Sequence, residues 1–410
     1  MTKFDISQRT SFITEVPASA NGSAVALAEE RSGSPAAPGP RMSDWPLLPW
    51  PRGPLSAAVI TALQRPPGTL GVTPPVSSDD PLGDDDLQLA LYLCYEVHYH
   101  GYADSDWEWD LGLLGFRAEL ERVFLDGLRS EIGPIEPVFP FEVATAMDRL
   151  IQSSSGPSLS KYLSEFGSLE QLREFCVHRS AYQLKEADPH SFALPRLKGE
   201  AKAAMMTIQF DEYGAGVAKD MHSTLFAETL GALGLDPSYG SYVEVLPGVT
   251  LATVNLVSML ALHRRWRGAL VGHLAVFEMT SVEPMGRYSY ALERWGIGPE
   301  GRRFYDVHVH VDAYHAEVAR DQMVAGLIDA EPHLGADLLF GVAAVLVLEA
   351  RFSSYLLDSW AAGRSSLVPW AMNEGLAGVR ARSPVANTRA ARAAIVAAAC
   401  VVGDADSSVR

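Results

Sequence analysis

Three histidines and one aspartate lie within the eight residues 308–315, HVHVDAYH. Imidazoles and carboxylates bind metals and transfer protons, so their directions decide what the segment can do. In a strand, alternate side chains share a face, which would group His308, His310 and Asp312. In a helix each residue turns by ~100°, so Asp312 lies ~40° from His308 and His315 lies ~20° on its other side. His310 would then point to a different face.

The surroundings of this segment favour the helix. Valines at 307, 309 and 311 favour a strand locally. However, the pattern continues without a break into AEVARDQMVAGL, which is an amphipathic helical pattern, and no partner strands are visible. We therefore predict a helix that carries His308, Asp312 and His315 on one stripe. The alternative is a polar stripe that faces water, because a metal site would need further ligands from other helices.

The remaining chain predicts an all-α fold, since long segments such as ADLLFGVAAVLVLEARF carry apolar residues at helical spacing. Half of the 26 prolines fall within the first 81 residues, which predicts a flexible extension over 1–84, with room for a short helix at LSAAVITALQ. A small helical module is predicted at 85–155, a larger helical bundle at 156–385, and a C-terminal tail at 386–410.

Composition limits the classes of partner. The chain has 410 residues and a formal net charge of −17, which disfavours nucleic acid and anionic membrane surfaces. Its apolar runs fall short of the ~20 residues that span a bilayer, and its N-terminus lacks a secretory signal pattern. The three widely spaced cysteines predict no disulfide framework. We expect a cytoplasmic protein.

Several acidic residues and histidines elsewhere interrupt apolar helical patterns. Glu278 lies within AVFEMTSV, where a carboxylate is expensive unless an arginine or a metal pairs with it. Glu212 and His222 flank a Gly-Ala-Gly break, and a regular helix would place them ~80° apart. The glycines permit a kink that changes this angle, and Asp211 is a rival to Glu212. Glu186 precedes a helix stop, where a solvated helix end is the alternative.

Together these residues resemble the ligand pattern of the heme-oxygenase-like diiron oxidases and oxygenases, whose helical bundle binds two irons instead of heme. The last ligand helix of that family carries His-x3-Asp-x2-His, as residues 308–315 do here. One of its subgroups has an extra carboxylate ten residues before a ligand histidine, and Glu212 has this spacing from His222. The resemblance implies seven metal ligands: Glu186, Glu212, His222, Glu278, His308, Asp312 and His315.

The resemblance covers roughly residues 158–360 and makes 156–385 the diiron domain. It implies two iron ions, O2 as co-substrate, an external electron donor and no catalytic residue beyond the metal ligands. The subgroup with the extra carboxylate includes N-oxygenases, so a small amine or guanidine substrate is expected. The segments HRSAYQLKEADPH and QFDEYGAG resemble stretches of that subgroup.

Other functions stay open at this point. A diiron oxidase of the same fold could catalyse oxidative C–C cleavage or desaturation. A non-catalytic heme or metal binder is another class, although so many carboxylates do not suit heme, which needs one or two axial ligands. A purely structural helical protein would bind no metal. The N-terminal module resembles a dimerisation element of related proteins, so a homodimer is expected. Within it, Glu96 and His100 are spaced as neighbours on a helix, and packing is favoured there over a second metal site.

Overall fold

The structure is a computed structural model that describes residues 46–154 and 156–369. Regular structure in these ranges is entirely helical, so the predicted all-α fold is confirmed. The first eight helices are α1 (Pro54–Leu63), α2 (Asp85–Glu96), α3 (Leu111–Ile132), α4 (Val143–Ser153), α5 (Leu159–Glu165), α6 (Leu169–Gln183), α7 (Asp188–Ser191) and α8 (Gly199–Glu212). The others are α9 (His222–Ala232), α10 (Gly248–Leu262), α11 (Arg267–Thr280), α12 (Val282–Arg294), α13 (Pro299–Glu317), α14 (Ala325–Ala330) and α15 (Gly335–Ala361).

Helix α13 contains the whole of HVHVDAYH, which confirms the helical prediction for this segment. Its stripe of His308, Asp312 and His315 is buried, whereas His310 is exposed on another face. A π-helical segment, Val318–Val324, continues α13 toward α14. The period of 3.6 residues therefore turns the three polar side chains into the protein interior.

Helices α11 and α15 form the tightest crossing in the core because glycines allow their backbones to meet. A Cβ atom on Gly341 would lie 2.0 Å from the carbonyl oxygen of Ala269, and one on Gly272 would lie 2.2 Å from that of Leu338. Such distances exclude any side chain. The crossing fixes α11, which carries Glu278, against the longest helix of the fold.

The segment Pro332–Ala361, which includes α15, is by length and composition long and apolar enough to cross a membrane. Its most apolar window is 56% buried inside the protein, where α15 packs against α10 and α11. The core helix of a soluble protein meets the same criteria. Burial against these helices gives the segment a reason to be apolar.

The N-terminal elements share the core of the bundle. Residues 54–63 lie in the predicted flexible extension, at the place where a short helix was allowed. The helix is present as α1, but it buries Leu55, Val59 and Ile60 against α2 and is not part of a flexible segment. The carboxylate of Asp86 accepts hydrogen bonds from the first backbone amides of α1, so a distant side chain fixes this helix.

The predicted boundary between the small module and the large bundle does not separate two cores. Helix α2 packs on α10, and α3 packs on α15. Buried apolar residues from Leu55 to Leu367 form one continuous cluster. Periodicity cannot reveal this sharing, because it reports which residues are buried and not which helix covers them. The predicted tail at 386–410 and residues 1–45 lie outside the described residues.

Gly341→Ala should destabilise the protein by at least about 1–3 kcal/mol, because the methyl group overlaps the α11 backbone. Gly115→Ala is the matched control, since Gly115 lies in the exposed interior of α3 with open space around it. That change should stabilise the protein by about 0.5–1 kcal/mol. Urea unfolding followed by circular dichroism measures both. Equal midpoints for Gly341→Ala and the parent protein would contradict the close crossing.

Candidate metal centre

The structure brings six of the seven predicted ligands into two overlapping groups. In the first group, donor atoms of Glu186, Glu212, His222 and His308 all lie within 4.8 Å of one another. In the second, donor atoms of Glu212, Glu278 and His315 meet the same limit. Glu212 belongs to both groups, and a shared carboxylate is the residue type that can bridge two metal ions. These residues come from five parts of the fold: the turn after α6, the end of α8, the start of α9, α11 and α13.

A break in the chain brings Glu212 and His222 together. Helix α8 ends at Glu212 and α9 begins at His222, and Glu212 Oε2 lies 2.8 Å from His222 Nδ1. Gly214, Ala215 and Gly216 between them have φ values of 64°, 52° and 83°. These left-handed residues reverse the chain, which a regular helix could not do. The kink that the glycines were predicted to permit is therefore a complete break.

In each of the two α13 ligand histidines, His308 and His315, one ring nitrogen contacts a group outside the proposed ligand set. His308 Nδ1 donates to the backbone carbonyl of Phe304 at 2.6 Å, which leaves Nε2 facing Glu186 Oε2 at 3.9 Å. His315 Nε2 lies 3.1 Å from Asp211 Oδ2. A hydrogen bond on one imidazole nitrogen orients the ring and leaves the other nitrogen for a metal.

The seventh predicted ligand, Asp312, lies beside the second group. Its Oδ2 accepts a hydrogen bond from the Ser281 hydroxyl, whereas Oδ1 has no hydrogen-bond partner and lies 3.8 Å from His315 Nδ1. That nitrogen also lies 3.3 Å from Glu278 Oε2. Asp312 therefore presents one free oxygen to the same space as Glu278 and His315.

The residues fit a metal because their donor atoms lack other partners. Among the proposed ligands, four buried atoms make no hydrogen bond of acceptable geometry: Glu186 Oε2, His222 Nδ1, Asp312 Oδ1 and His315 Nδ1. The two imidazole nitrogens lie close only to carboxylate oxygens of other proposed ligands. Among the described residues, no lysine or arginine forms an ion pair with any of the site carboxylates, and Glu278 lacks the arginine considered above. Buried polar atoms left unpaired are costly, and a cation bound among them satisfies them together.

Buried cations near the site are already paired elsewhere. Arg179 binds Glu349 through two hydrogen bonds of 2.8 and 2.6 Å. Lys185, which precedes Glu186 in sequence, pairs with Glu96. No lysine or arginine of the described part of the chain therefore neutralises the site carboxylates.

Burial shapes the protonation of the carboxylates. It raises the pKa of Glu278 to about 7 and the pKa of Asp312 to about 6. Burial and the neighbouring negative charge of Glu212 raise the pKa of Glu186 well above its usual range. Without a cation the carboxylates cannot all be ionised at neutral pH, and metal binding must release their protons.

The three imidazoles of the site differ in the direction in which their pKa values are shifted. Burial lowers the pKa of His222 to about 4, so its ring is neutral at neutral pH and has a lone pair for a metal. Burial also lowers the pKa of His308, and the neighbouring His222 adds to this effect. Burial lowers the pKa of His315 as well, but contacts with Glu278 and Asp211 overcome it and raise the pKa to about 9. A dication among these groups would favour the neutral form of His315.

Two residues that support the ligands were not predicted in these roles. The sequence presents Asp211 as a rival to Glu212, yet Asp211 holds His315 from outside while Glu212 faces inward. Adjacent residues on a helix point ~100° apart, so the pair could have been read as one inner and one outer carboxylate. Ser281 carries no sequence signal for its bond to Asp312.

A small cavity of about 40 Å³ opens beside the carboxylates. This volume admits a molecule of the size of water or O2. Besides proposed ligands, it is lined by apolar or aromatic side chains of Tyr182, Leu274, Phe277 and Met285 and by the polar side chains of His190, Gln209 and Ser281. The apolar part of this lining limits the access of water to the carboxylates.

Gly214→Ala should weaken metal binding, because an added Cβ would lie 2.5 Å from the backbone of Asp220 and disturb the approach of Glu212 to His222. Gly216→Ala is the matched control, since it introduces a similar left-handed strain (φ 83°) with open space around it. We expect Fe(II) affinity to fall about 10–100-fold in the first variant, as for lost ligand support, and much less in the second. Anaerobic Fe(II) titration measures both. Equal affinities would contradict the role of this break.

Comparison with known proteins agrees with this chemistry. The family model described as iron-containing redox enzyme matches residues 173–350, which include all seven proposed ligands. Nitrosourea synthase from Streptomyces achromogenes subsp. streptozoticus is 27% identical over 147 residues, which are 36% of this chain and 31% of that protein. The present chain thus matches less than a third of the length of this relative. The resemblance noted in the sequence is confirmed over this part of the chain: residues 173–350 are similar to the iron-containing redox enzymes of heme-oxygenase-like fold.

Proposed function

We propose that this protein is a non-heme diiron oxygenase that oxidises a nitrogen atom of a small amine or guanidine substrate with O2. The observation that carries the proposal is the pair of ligand groups that share Glu212. Two groups with a common carboxylate suit two metal ions held close together. Carboxylate and imidazole donors without thiolates suit iron.

One ion would be held by Glu186, Glu212, His222 and His308. The other would be held by Glu212, Glu278 and His315, with the free oxygen of Asp312 beside them. Two ferrous ions carry four positive charges, which the four carboxylates neutralise. This balance matters because uncompensated charge in an apolar interior is costly.

When bound, ferrous iron supplies the electrons that reduce O2, and an external donor would restore them. The residues of the chain would orient the metal ligands and keep water away from them. Asp211 and the Phe304 carbonyl hold the two α13 imidazoles, and Ser281 holds Asp312. Leu274, Phe277 and Met285 would keep water from the cavity, which strengthens the electrostatic interactions of the carboxylates.

Three points support nitrogen as the atom that is oxidised. Glu212 has the spacing from His222 of the extra carboxylate that the resemblance associates with the N-oxygenating subgroup. The relative that matches here is named for a nitrogen-oxidised product, a nitrosourea. Carboxylates beside the cavity would also attract a cationic amine or guanidinium. A homodimer and a cytoplasmic location are proposed on the sequence arguments alone.

The folded protein should bind two Fe(II) per chain, and His315→Ala should bind at most one of them tightly. His310→Ala is the matched control, because His310 lies on the same helix but is exposed and points away from the site. Anaerobic titration with iron determination measures the stoichiometry. Absence of iron uptake by the folded parent protein would rule out the proposed metal centre.

With iron loaded and a reductant present, an accepted amine or guanidine should gain oxygen on nitrogen. Isotopically labelled O2 should place the label in the product, as followed by mass spectrometry. His310→Ala should retain this activity and His315→Ala should lose it. Loss of a carbon fragment or of two hydrogens would reassign the enzyme to C–C cleavage or desaturation. An iron-loaded protein that consumes no O2 across the amines tested would be a metal binder without this activity.

A further inference from the structure

The end of α2 and the residues just after it contact the residues that precede and follow Glu186 in the sequence. Helix α2 ends at Glu96, which is fully buried and accepts a hydrogen bond from the buried ammonium of Lys185, the residue before Glu186. The residue two positions after Glu186, Asp188, has its carboxylate 3.6 Å from His100 Nε2. Glu96 and His100 thus do not form a pair on one helix, because α2 ends between them. Each of them contacts a residue close to Glu186.

The Lys185 side chain has little freedom to move. Its ammonium lies 4.2 Å from the ring centre of Tyr99 and 5.4 Å from that of Tyr92. The second carboxylate oxygen of Glu96 accepts a hydrogen bond from the Tyr239 hydroxyl at 2.5 Å. A buried ion pair enclosed by aromatic rings has one favourable arrangement, since any displacement leaves a charge buried and unpaired.

The backbone beside Glu186 adopts a conformation that needs such support. Ala187 has φ 75° and ψ −31°, which lies outside the ordinary regions for an alanine. A non-glycine residue keeps a positive φ only when its surroundings impose it. Gln209 Nε2 donates to the Ala187 carbonyl at 2.8 Å from the other side of the bend. This bend separates α6 from α7 and sets the position of Glu186.

A second line of contacts reaches the next ligand. The Tyr213 hydroxyl donates to Asp188 Oδ1 at 2.9 Å, and Tyr213 directly follows Glu212. His100 is thereby linked through Asp188 to the end of α8. Both contacts lead to members of the first ligand group, Glu186 and Glu212.

We propose that Glu96 is a positioning residue for Glu186. By holding Lys185, it maintains the bend at Ala187 and keeps the Glu186 carboxylate beside His222 and His308. The segment YEVHYHG would then set the geometry of one metal position without touching the metal. This inference rests on the proposed two-ion centre.

The two ligand groups make the inference specific to one ion. Glu186 belongs to the group with His222 and His308 and is absent from the group with Glu278 and His315. Loss of the Glu96 contact should weaken the binding of one metal ion and leave the binding of the other unchanged. A general loss of folding stability would affect both ions alike.

The test is an anaerobic Fe(II) titration of Glu96→Gln against a competing chelator. We expect one of the two Fe(II) to bind about 10–100-fold more weakly, as for lost second-layer support of a ligand, and the other to bind unchanged. Glu331→Gln is the matched control. It breaks a less deeply buried ion pair with Arg267, at the start of α11 and away from Glu186, and should leave both affinities unchanged.

A second variant keeps the test decisive if Glu96→Gln fails to fold. Glu96→Gln combined with Lys185→Met removes both buried charges, a change that proteins often tolerate. It should fold and still show the selective loss, because the link between α2 and Lys185 is gone. Equal weakening of both ions, or unchanged binding of both in either variant, would overturn the positioning role. Failure of the parent protein to bind two Fe(II) would instead overturn the two-ion centre itself, and the inference with it.

Discussion

Four carboxylates lie at the centre of an apolar helical bundle with no lysine or arginine, among the described residues, paired to them. Desolvation makes four adjacent negative charges impossible to sustain, and the raised pKa values of Glu186, Glu278 and Asp312 express this constraint. Protons or a cation must supply the missing positive charge. The neutral imidazoles of His222 and His308, the unpaired donor atoms and the pairing of nearby Arg179 and Lys185 to other acids all favour a metal ion as its source.

The two ligand groups rest on different kinds of support. Glu278, Asp312 and His315 project from the interiors of α11 and α13, and the glycine-mediated crossing with α15 fixes α11. Two ligands of the other group, Glu212 and His222, lie instead at a helix end and a helix start. Apart from the shared Glu212, the second position is thus held by residues within helices, whereas the first depends more on turns with left-handed residues. Such turns are easily displaced unless other contacts hold them.

The N-terminal helices provide some of the contacts that keep these turns in place. Helices α1 to α3 share the core of the bundle, and the end of α2 reaches the chain around Glu186. An acid far from the site in sequence, Glu96, pairs with the lysine that precedes a proposed ligand. The part of the chain that looked like a separate module therefore belongs to the structural support of the centre.

The sequence alone determined the features that depend on local periodicity and on the cost of burying charge. Helical spacing placed His308, Asp312 and His315 on one stripe, and an apolar context marked Glu278 as a carboxylate in need of a partner. The tertiary structure decided the rest. The approach of Glu212 to His222 depends on three consecutive left-handed residues, and the inner and outer roles of Glu212 and Asp211 depend on the facing helix. The inclusion of α1 in the core and the contact of Glu96 with Lys185 depend on residues far apart in the chain. Periodicity describes the backbone within one helix, whereas these features arise from contacts between helices.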